Sequence, residues 1–148
     1  MTRTALKAAT ERLTGKPLCC LCFACEAMLF DFGDISVHSQ CFTRVIHENR
    51  ILFTTWDYQN WDGVTDTEND EWVQGKRYRD EMLNRKVVRT ELTGTNDLFV
   101  WLEGGYLLQL FVSNGAEPLY GVPGEQWRLI EGEHRPHLVV TQTSVEFQ

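Results

Sequence analysis

Lys86-Val87-Val88-Arg89-Thr90-Glu91-Leu92-Thr93-Gly94-Thr95-Asn96-Asp97-Leu98-Phe99-Val100-Trp101-Leu102-Glu103-Gly104-Gly105-Tyr106-Leu107-Leu108-Gln109-Leu110-Phe111-Val112 is the stretch on which the fold turns. Three runs, Lys86 to Leu92, Asp97 to Leu102 and Tyr106 to Val112, are rich in β-branched and aromatic residues, which suit a pleated surface. Between them stand Thr93-Gly94-Thr95-Asn96 and Glu103-Gly104-Gly105. Apolar runs of strand length, punctuated by Gly and Asn, predict three strands in an antiparallel meander.

Downstream, Ser113 to Gly124 reads as a loop. Gln126 to Glu131 and His137 to Phe147 then form a strand pair around Gly132 and Pro136. Val139, Thr141, Thr143 and Val145 alternate with Val140, Gln142, Ser144 and Glu146, a period of two. Upstream, Ser36 to His47 and Arg50 to Trp56 read as a hairpin, because Glu48-Asn49 is a two-residue connection with Asn in it. Leu18 to Phe32 is largely apolar and predicts one strand buried on both faces. Asp31 to Asp34, around Gly33, is a turn. Thr4 to Leu13 predicts a helix with Leu6, Ala9 and Leu13 on one face, stopped by Gly15-Lys16-Pro17. Tyr78 to Arg85 predicts a second short helix. The expectation is one α+β domain over residues 1–148. Its body is a curved antiparallel sheet or small β-sandwich of about seven or eight strands, with two short helices.

A chain of 148 residues can bury a core without a metal or a disulfide. The net charge of -7 and a pI near 5.0 argue against a nucleic-acid backbone or an anionic membrane as the main partner, since both require local excess Lys and Arg. Met-Thr-Arg-Thr-Ala-Leu-Lys has two charges and no apolar core, unlike a secretory signal. Leu18 to Phe30 is broken by Glu26 and falls short of the roughly 20 residues that span a bilayer. A cytoplasmic protein with reduced thiols is expected, because five cysteines is an odd number.

Four of those cysteines form Cys19-Cys20-x-Cys22-x-x-Cys25. Cys22-x-x-Cys25 has zinc-knuckle spacing, and His38 with Cys41 could complete four ligands. The residues between them are Phe23 and Ala24 in an apolar run, however, so the expectation is buried thiols, with no metal and no cofactor. His134-x-x-His137 is interrupted by Pro136 and is not a helical ligand pair. His38, Ser39 and Cys41 lie close in sequence, but a general base, a nucleophile and an orienting group must converge in space. No residue is assigned a catalytic role.

From Trp56 to Trp72 the chain carries three tryptophans, six acids and no base, so the remaining residues net only -1. Asp57 to Gln74 reads as a long polar loop; Trp56 and Trp72 stand at its two ends, where a core position is open to both and is expected for Trp56. Placing Gly63 at the sixth position of a calcium loop puts Tyr58 first and Asn69 twelfth, where acids are required, so an EF-hand fails. Trp is enriched at interface hot spots. Trp61 is therefore the expected anchor for a basic protein partner, surrounded by Asp62, Asp66, Glu68, Asp70 and Glu71. The sheet face around Arg44, Arg50 and Trp127 is the next surface to consider.

Phe32-Gly33, Val37-His38-x-Gln40-Cys41-x-x-Arg44, Arg50-Ile51-Leu52 leading into Asp57-Tyr58, Gln126-Trp127-Arg128-Leu129, His137-Leu138-Val139-Val140 and Ser144-Val145-Glu146-Phe147 together span most of the chain beyond residue 30. In these segments the chain resembles small uncharacterised bacterial proteins, some of them similar to immunity proteins of toxin systems. The resemblance implies a compact α+β or all-β-like fold and a protein-binding role, most concretely neutralisation of a bacterial toxin. Families share fold more securely than function. A small-ligand-binding or enzymatic domain, with a pocket inside the curved sheet, is the alternative; a structural homo-oligomer is a third.

Overall fold

The computed structural model describes residues 2–25, 27–59, 73–113 and 124–148. In chain order the elements are α1 (Thr2–Glu11), β1 (Cys20–Ala24), β2 (Ala27–Asp31), β3 (Ile35–Ser39), β4 (Phe42–His47), β5 (Arg50–Thr54), α2 (Thr55–Gln59), α3 (Val73–Met82), β6 (Val87–Leu92), β7 (Leu98–Leu102), β8 (Tyr106–Phe111), β9 (Glu125–Glu131), β10 (Leu138–Thr141) and β11 (Val145–Phe147). They build an α+β domain of two antiparallel sheets. One has six strands in the order β1-β2-β3-β9-β10-β11, the other five in the order β5-β4-β8-β7-β6. The predicted meander is β6-β7-β8, and its register puts Leu98 opposite Leu110 and Leu92.

Eleven strands stand among the described residues where seven or eight were expected, because three predicted strands each divide. Leu18 to Phe32 is a hairpin: Cys25 takes a positive φ of 49°, and Ala24 pairs with Ala27. An apolar run without Gly or Pro hides such a reversal, since the turn residue is itself a cysteine. Ser36 to His47 divides at Gln40-Cys41, and its halves, β3 and β4, belong to different sheets. His137 to Phe147 folds back on itself as β10 and β11, closed by Thr141, whose N–H donates to the Ser144 carbonyl at 2.9 Å. The Glu48-Asn49 hairpin stands as expected, both residues having the positive φ that suits the right-handed twist of its strands.

The inner faces of the sheets share one core, which runs from Phe23, Phe30 and Val37 through Trp127 and Leu129 to Val45, Val100 and Leu108. Removing several methylenes here, as in Leu129→Ala, typically costs ~2–5 kcal/mol. Helix α1 presents Leu6 and Ala9 to this core, followed by Leu13 just beyond its end, and lies against β6, β9 and β11. Gly15, at φ 86°, turns the chain out of the helix, and its N–H donates to the Val87 carbonyl at 2.8 Å. On the β5 side, α2 and α3 pack on β5, and Phe23 of β1 approaches Tyr58 and Phe53 at ring distances of 5.3 and 5.9 Å.

Trp56 was expected to close strand β5 and sit in the core; it is instead on α2 and 65% exposed. The reason is local. Thr54 and Asp57 form a reciprocal cap: Thr54 N–H donates to the Asp57 carboxylate at 2.8 Å, and Asp57 N–H donates to Thr54 Oγ1 at 3.2 Å. That cap starts a helical turn and points Tyr58, not Trp56, into the core. The second helix also begins earlier than predicted, at Val73 instead of Tyr78.

Candidate functional site

Alternation along β4, β7 and β8 puts Thr43, Val45, Val100, Leu108 and Leu110 inside. The same period sends Phe42, Arg44, Ile46, Phe99, Trp101, Leu107, Gln109 and Phe111 outward. Register lays these side chains in rows across the five-stranded sheet. Phe42 lies opposite Phe111; Arg44 opposite Gln109 and then Phe99; Ile46 opposite Leu107 and then Trp101. Ile51 of β5 continues the last row beside Ile46. The result is an outer face that is apolar and aromatic. Phe42 is 43% exposed and Ile51 51% exposed, while Phe99, Trp101, Leu107 and Phe111 are half-buried.

The rings support one another. Phe99 meets Phe111 edge-on at 5.5 Å and Trp101 at 6.2 Å, while Phe42 lies 6.3 Å from Phe111. Two guanidiniums complete the face. Arg44 donates from Nε and Nη2 to Gln109 Oε1, at 3.0 and 2.7 Å, and lies 5.4 Å from the Phe111 ring centre. Arg89 lies 3.5 Å from the ring centre of Trp101. Neither has a carboxylate partner among the described residues, although the chain is acidic as a whole. Aromatic rings hold these cations in place of acids.

The outer face of the six-stranded sheet is different. Its central row runs Cys22, Leu29, His38, Arg128, Val139, Glu146. Arg128 is clamped by Glu125 through two bonds of 2.6 Å and donates to His137 Nδ1 at 2.8 Å. Burial, then Arg128 and His137, hold the His38 imidazole below its usual pKa. These charges are satisfied within the protein and leave little for a ligand.

The cysteines depart from expectation. Cys19, Cys22 and Cys25 are exposed and Cys20 is half-buried; only Cys41 is buried. The apolar run was read as one strand covered on both faces. As an edge hairpin it buries Leu21 and Phe23 and turns Cys20 and Cys22 to the outside. Among the described residues no group of three or more His, Cys, Asp or Glu is placed to hold a metal ion. His38 and Ser39 point to opposite faces of β3, so His38, Ser39 and Cys41 do not converge. Burial pushes the Cys41 thiol up to about 11, which keeps it protonated and unsuited to nucleophilic attack.

Trp127, expected on a sheet face, is fully buried, with Nε1 donating to the Asn96 carbonyl at 2.9 Å. Arg44 is on the outer face and Arg50 is exposed at the start of β5. Trp61, Asp62, Asp66, Glu68, Asp70 and Glu71 lie outside the described residues, as does Trp72. The segment Asp57 to Gln74 has Asp57 to Gln59 in α2 and its last two residues in α3. Between the sheets the described residues form one hydrophobic core. Two clefts among the described residues are peripheral: about 180 Å³ beneath α1, bordered by Ala5, Arg12, Glu131 and Phe147, and about 320 Å³ among the turns at Gly94–Asn96, Val112–Ser113 and Gln142–Thr143.

The aromatic face is a site that sequence reasoning named only at Arg44. Its signal was present. Leu98, Val100 and Leu102 alternate with Phe99 and Trp101, so both parities of β7 are apolar. In a sandwich, where one face is core, that pattern requires an apolar outer face. Comparison of the chain with family models, curated proteins and solved structures found no match. No helix among the described residues is long and apolar enough to cross a membrane.

Proposed function

We propose that this chain is a protein-binding module whose primary docking surface is the outer face of the five-stranded sheet. The observation that carries the reading is the contiguous Phe42, Phe99, Trp101, Phe111, Ile46 and Ile51 surface, with Arg44 and Arg89 held over rings and without acid partners among the described residues. Exposed apolar patches of this kind mark interaction sites. Aromatics and Arg are the residue types that dominate interface energetics. The occupant that fits is a protein surface with an apolar centre and carboxylates opposite the two guanidiniums. A second copy of the chain fits less well, because face-to-face pairing would bring Arg44 and Arg89 against like charges in an apolar setting.

The acidic segment Asp57 to Gln74 starts and ends on α2 and α3, at the β5 edge of the same sheet. In this reading Trp61, Asp62, Asp66, Glu68, Asp70 and Glu71 engage a basic region of the same partner and speed its approach. The immunity-protein resemblance makes neutralisation of a bacterial toxin the most concrete form of that role. Five free thiols suit a cytoplasmic setting. The alternative, a ligand-binding or enzymatic domain with a pocket in the curved sheet, draws less support from the apolar core that the described residues form between the sheets.

The test is comparative capture. Immobilised parent protein, a Phe42→Asp/Trp101→Asp variant and an Arg128→Ala control are each exposed to lysate, and retained proteins are identified by mass spectrometry. A partner held by parent and control but lost by the sheet-face variant supports the reading. A partner held equally by all three moves the interface elsewhere.

A further inference from the structure

On the edge strand β1, Cys20 and Cys22 occupy alternate positions on the outer face of the six-stranded sheet, and their sulfurs lie 3.1 Å apart. This arrangement owes nothing to the aromatic face and is not used by the proposed docking. We propose that Cys20 and Cys22 form a two-thiolate site for a monovalent soft metal ion, copper(I).

The geometry separates this reading from its competitors. Alternate residues of a strand are about 6.4–6.8 Å apart at Cα, from a rise of 3.2–3.4 Å per residue. That is the far limit of what a disulfide spans, and their Cβ atoms point the same way rather than toward each other. A metal atom between the sulfurs relaxes the demand. With metal–thiolate bonds of about 2.3 Å, two sulfurs can stand up to ~4.6 Å apart, reached by side-chain rotation alone. Zinc asks for four ligands in a tetrahedron. Among the described residues no third His, Cys, Asp or Glu joins the pair as a metal ligand. Asp31, cross-strand from Cys20, already holds the following turn through Gly33 N–H at 2.8 Å. Thiolate ligands select copper(I), and this ion accepts linear two-coordination.

The surroundings suit the product. Binding follows Cu⁺ + 2 RSH → [Cu(SR)₂]⁻ + 2 H⁺, so the site gains one negative charge. The hydrogen bond with Cys20, then burial, hold the Cys22 thiol above its usual pKa in the free protein, outweighing the opposite pull of the Arg79 charge, so both protons leave as the metal binds. Cys22 is exposed and Cys20 half-buried on β1, an edge strand among the described residues, so a small copper(I) carrier can reach them.

The experiment is anaerobic titration of the reduced full-length chain with copper(I) against a chromogenic copper(I) chelator. One equivalent should transfer to the protein, with a sulfur-to-copper charge-transfer band and protection of two thiols from alkylation. Cys20→Ser and Cys22→Ser should each weaken binding by more than ~100-fold, beyond the loss that follows removal of an outer partner. Cys19→Ser, Cys25→Ser and Cys41→Ser should bind as the parent does. Circular dichroism of each variant establishes that the fold is retained. Failure of the folded parent to compete with the chelator overturns the proposal. So does equal loss in Cys19→Ser or Cys25→Ser, which would show a broader thiol cluster. Ready conversion of Cys20 and Cys22 to an intramolecular disulfide by glutathione disulfide, with no copper uptake, overturns it in favour of a redox pair.

Discussion

Replacing Trp127 by Phe tests how the two sheets are joined. The indole is fully buried, and its Nε1 donates to the Asn96 carbonyl, on the turn between β6 and β7, at 2.9 Å. This bond helps tie β9 of the six-stranded sheet to the meander of the other, beside that from Ser113 N–H to Gln126 Oε1 at 2.9 Å. Trp127→Phe keeps an aromatic ring in place and removes the donor. Leaving the part-buried carbonyl unpaired costs up to ~1–3 kcal/mol. The volume lost from indole to phenyl adds about 1 kcal/mol at ~24 cal/mol per Å³ of cavity. The expected loss is therefore about 2–4 kcal/mol. At this chain length each kcal/mol corresponds to a Tm shift of roughly 2–4 °C. Urea unfolding at equilibrium is the assay, and the midpoint should fall while the m-value holds, since the surface exposed on unfolding is unchanged. Trp101→Phe, on the outer face, is the control and should cost under ~1.5 kcal/mol, the scale of its ring contacts. A Trp127→Phe loss below ~0.5 kcal/mol, within the range of an ordinary surface substitution, would refute the claim that this bond joins the sheets.

Alkylation of the native chain should label Cys19, Cys20, Cys22 and Cys25 and spare Cys41 until the protein is unfolded; peptide mapping that finds Cys41 labelled in the native state would contradict its burial. His38, facing Arg128 and His137 with Glu125 and Asp31 nearby, has a folded pKa below its ordinary value of 6.5, so the unfolded chain takes up the proton first. The stability present above pH 6.5 should therefore decline as the pH falls through and below that value, and His38→Gln should flatten the slope in pH-dependent urea titrations. Neutralising Asp62, Asp66, Glu68, Asp70 and Glu71 together should slow association with a captured partner at low salt. The difference from parent should shrink as salt shortens the Debye length to ~8 Å and below, which stopped-flow kinetics can read.

The meander, the Glu48-Asn49 hairpin and the first helix were legible because each carries a local signal: Gly-rich turns, an Asn that tolerates positive φ, a face of Leu6, Ala9 and Leu13. The division of strands was not. Cys25 reverses the chain without Gly or Pro, and Gln40-Cys41 moves it between sheets inside a continuous strand pattern. Propensity reports that a segment suits a strand, not which sheet receives it. Trp56 was misplaced because β-propensity outweighed a legible cap, Thr54-x-x-Asp57. The cysteines were misplaced because covering depends on neighbours: the same sequence is buried in a central strand and exposed at an edge. For the site, composition drew attention to the acidic segment, whereas the aromatic face is assembled from β4, β5, β7 and β8, far apart in sequence and adjacent only through register.

The central claim is that a protein partner docks on the outer face of the five-stranded sheet, and the affinity of Trp101→Ala for the captured partner tests it most directly. Isothermal titration with parent, Trp101→Ala and Arg128→Ala fixes the comparison, with circular dichroism to establish folding. An anchor on this face should cost 2 kcal/mol or more on truncation, so Kd should rise by about 30-fold or more for Trp101→Ala and stay near the parent value for Arg128→Ala. Equal affinity of a folded Trp101→Ala and the parent would contradict the account.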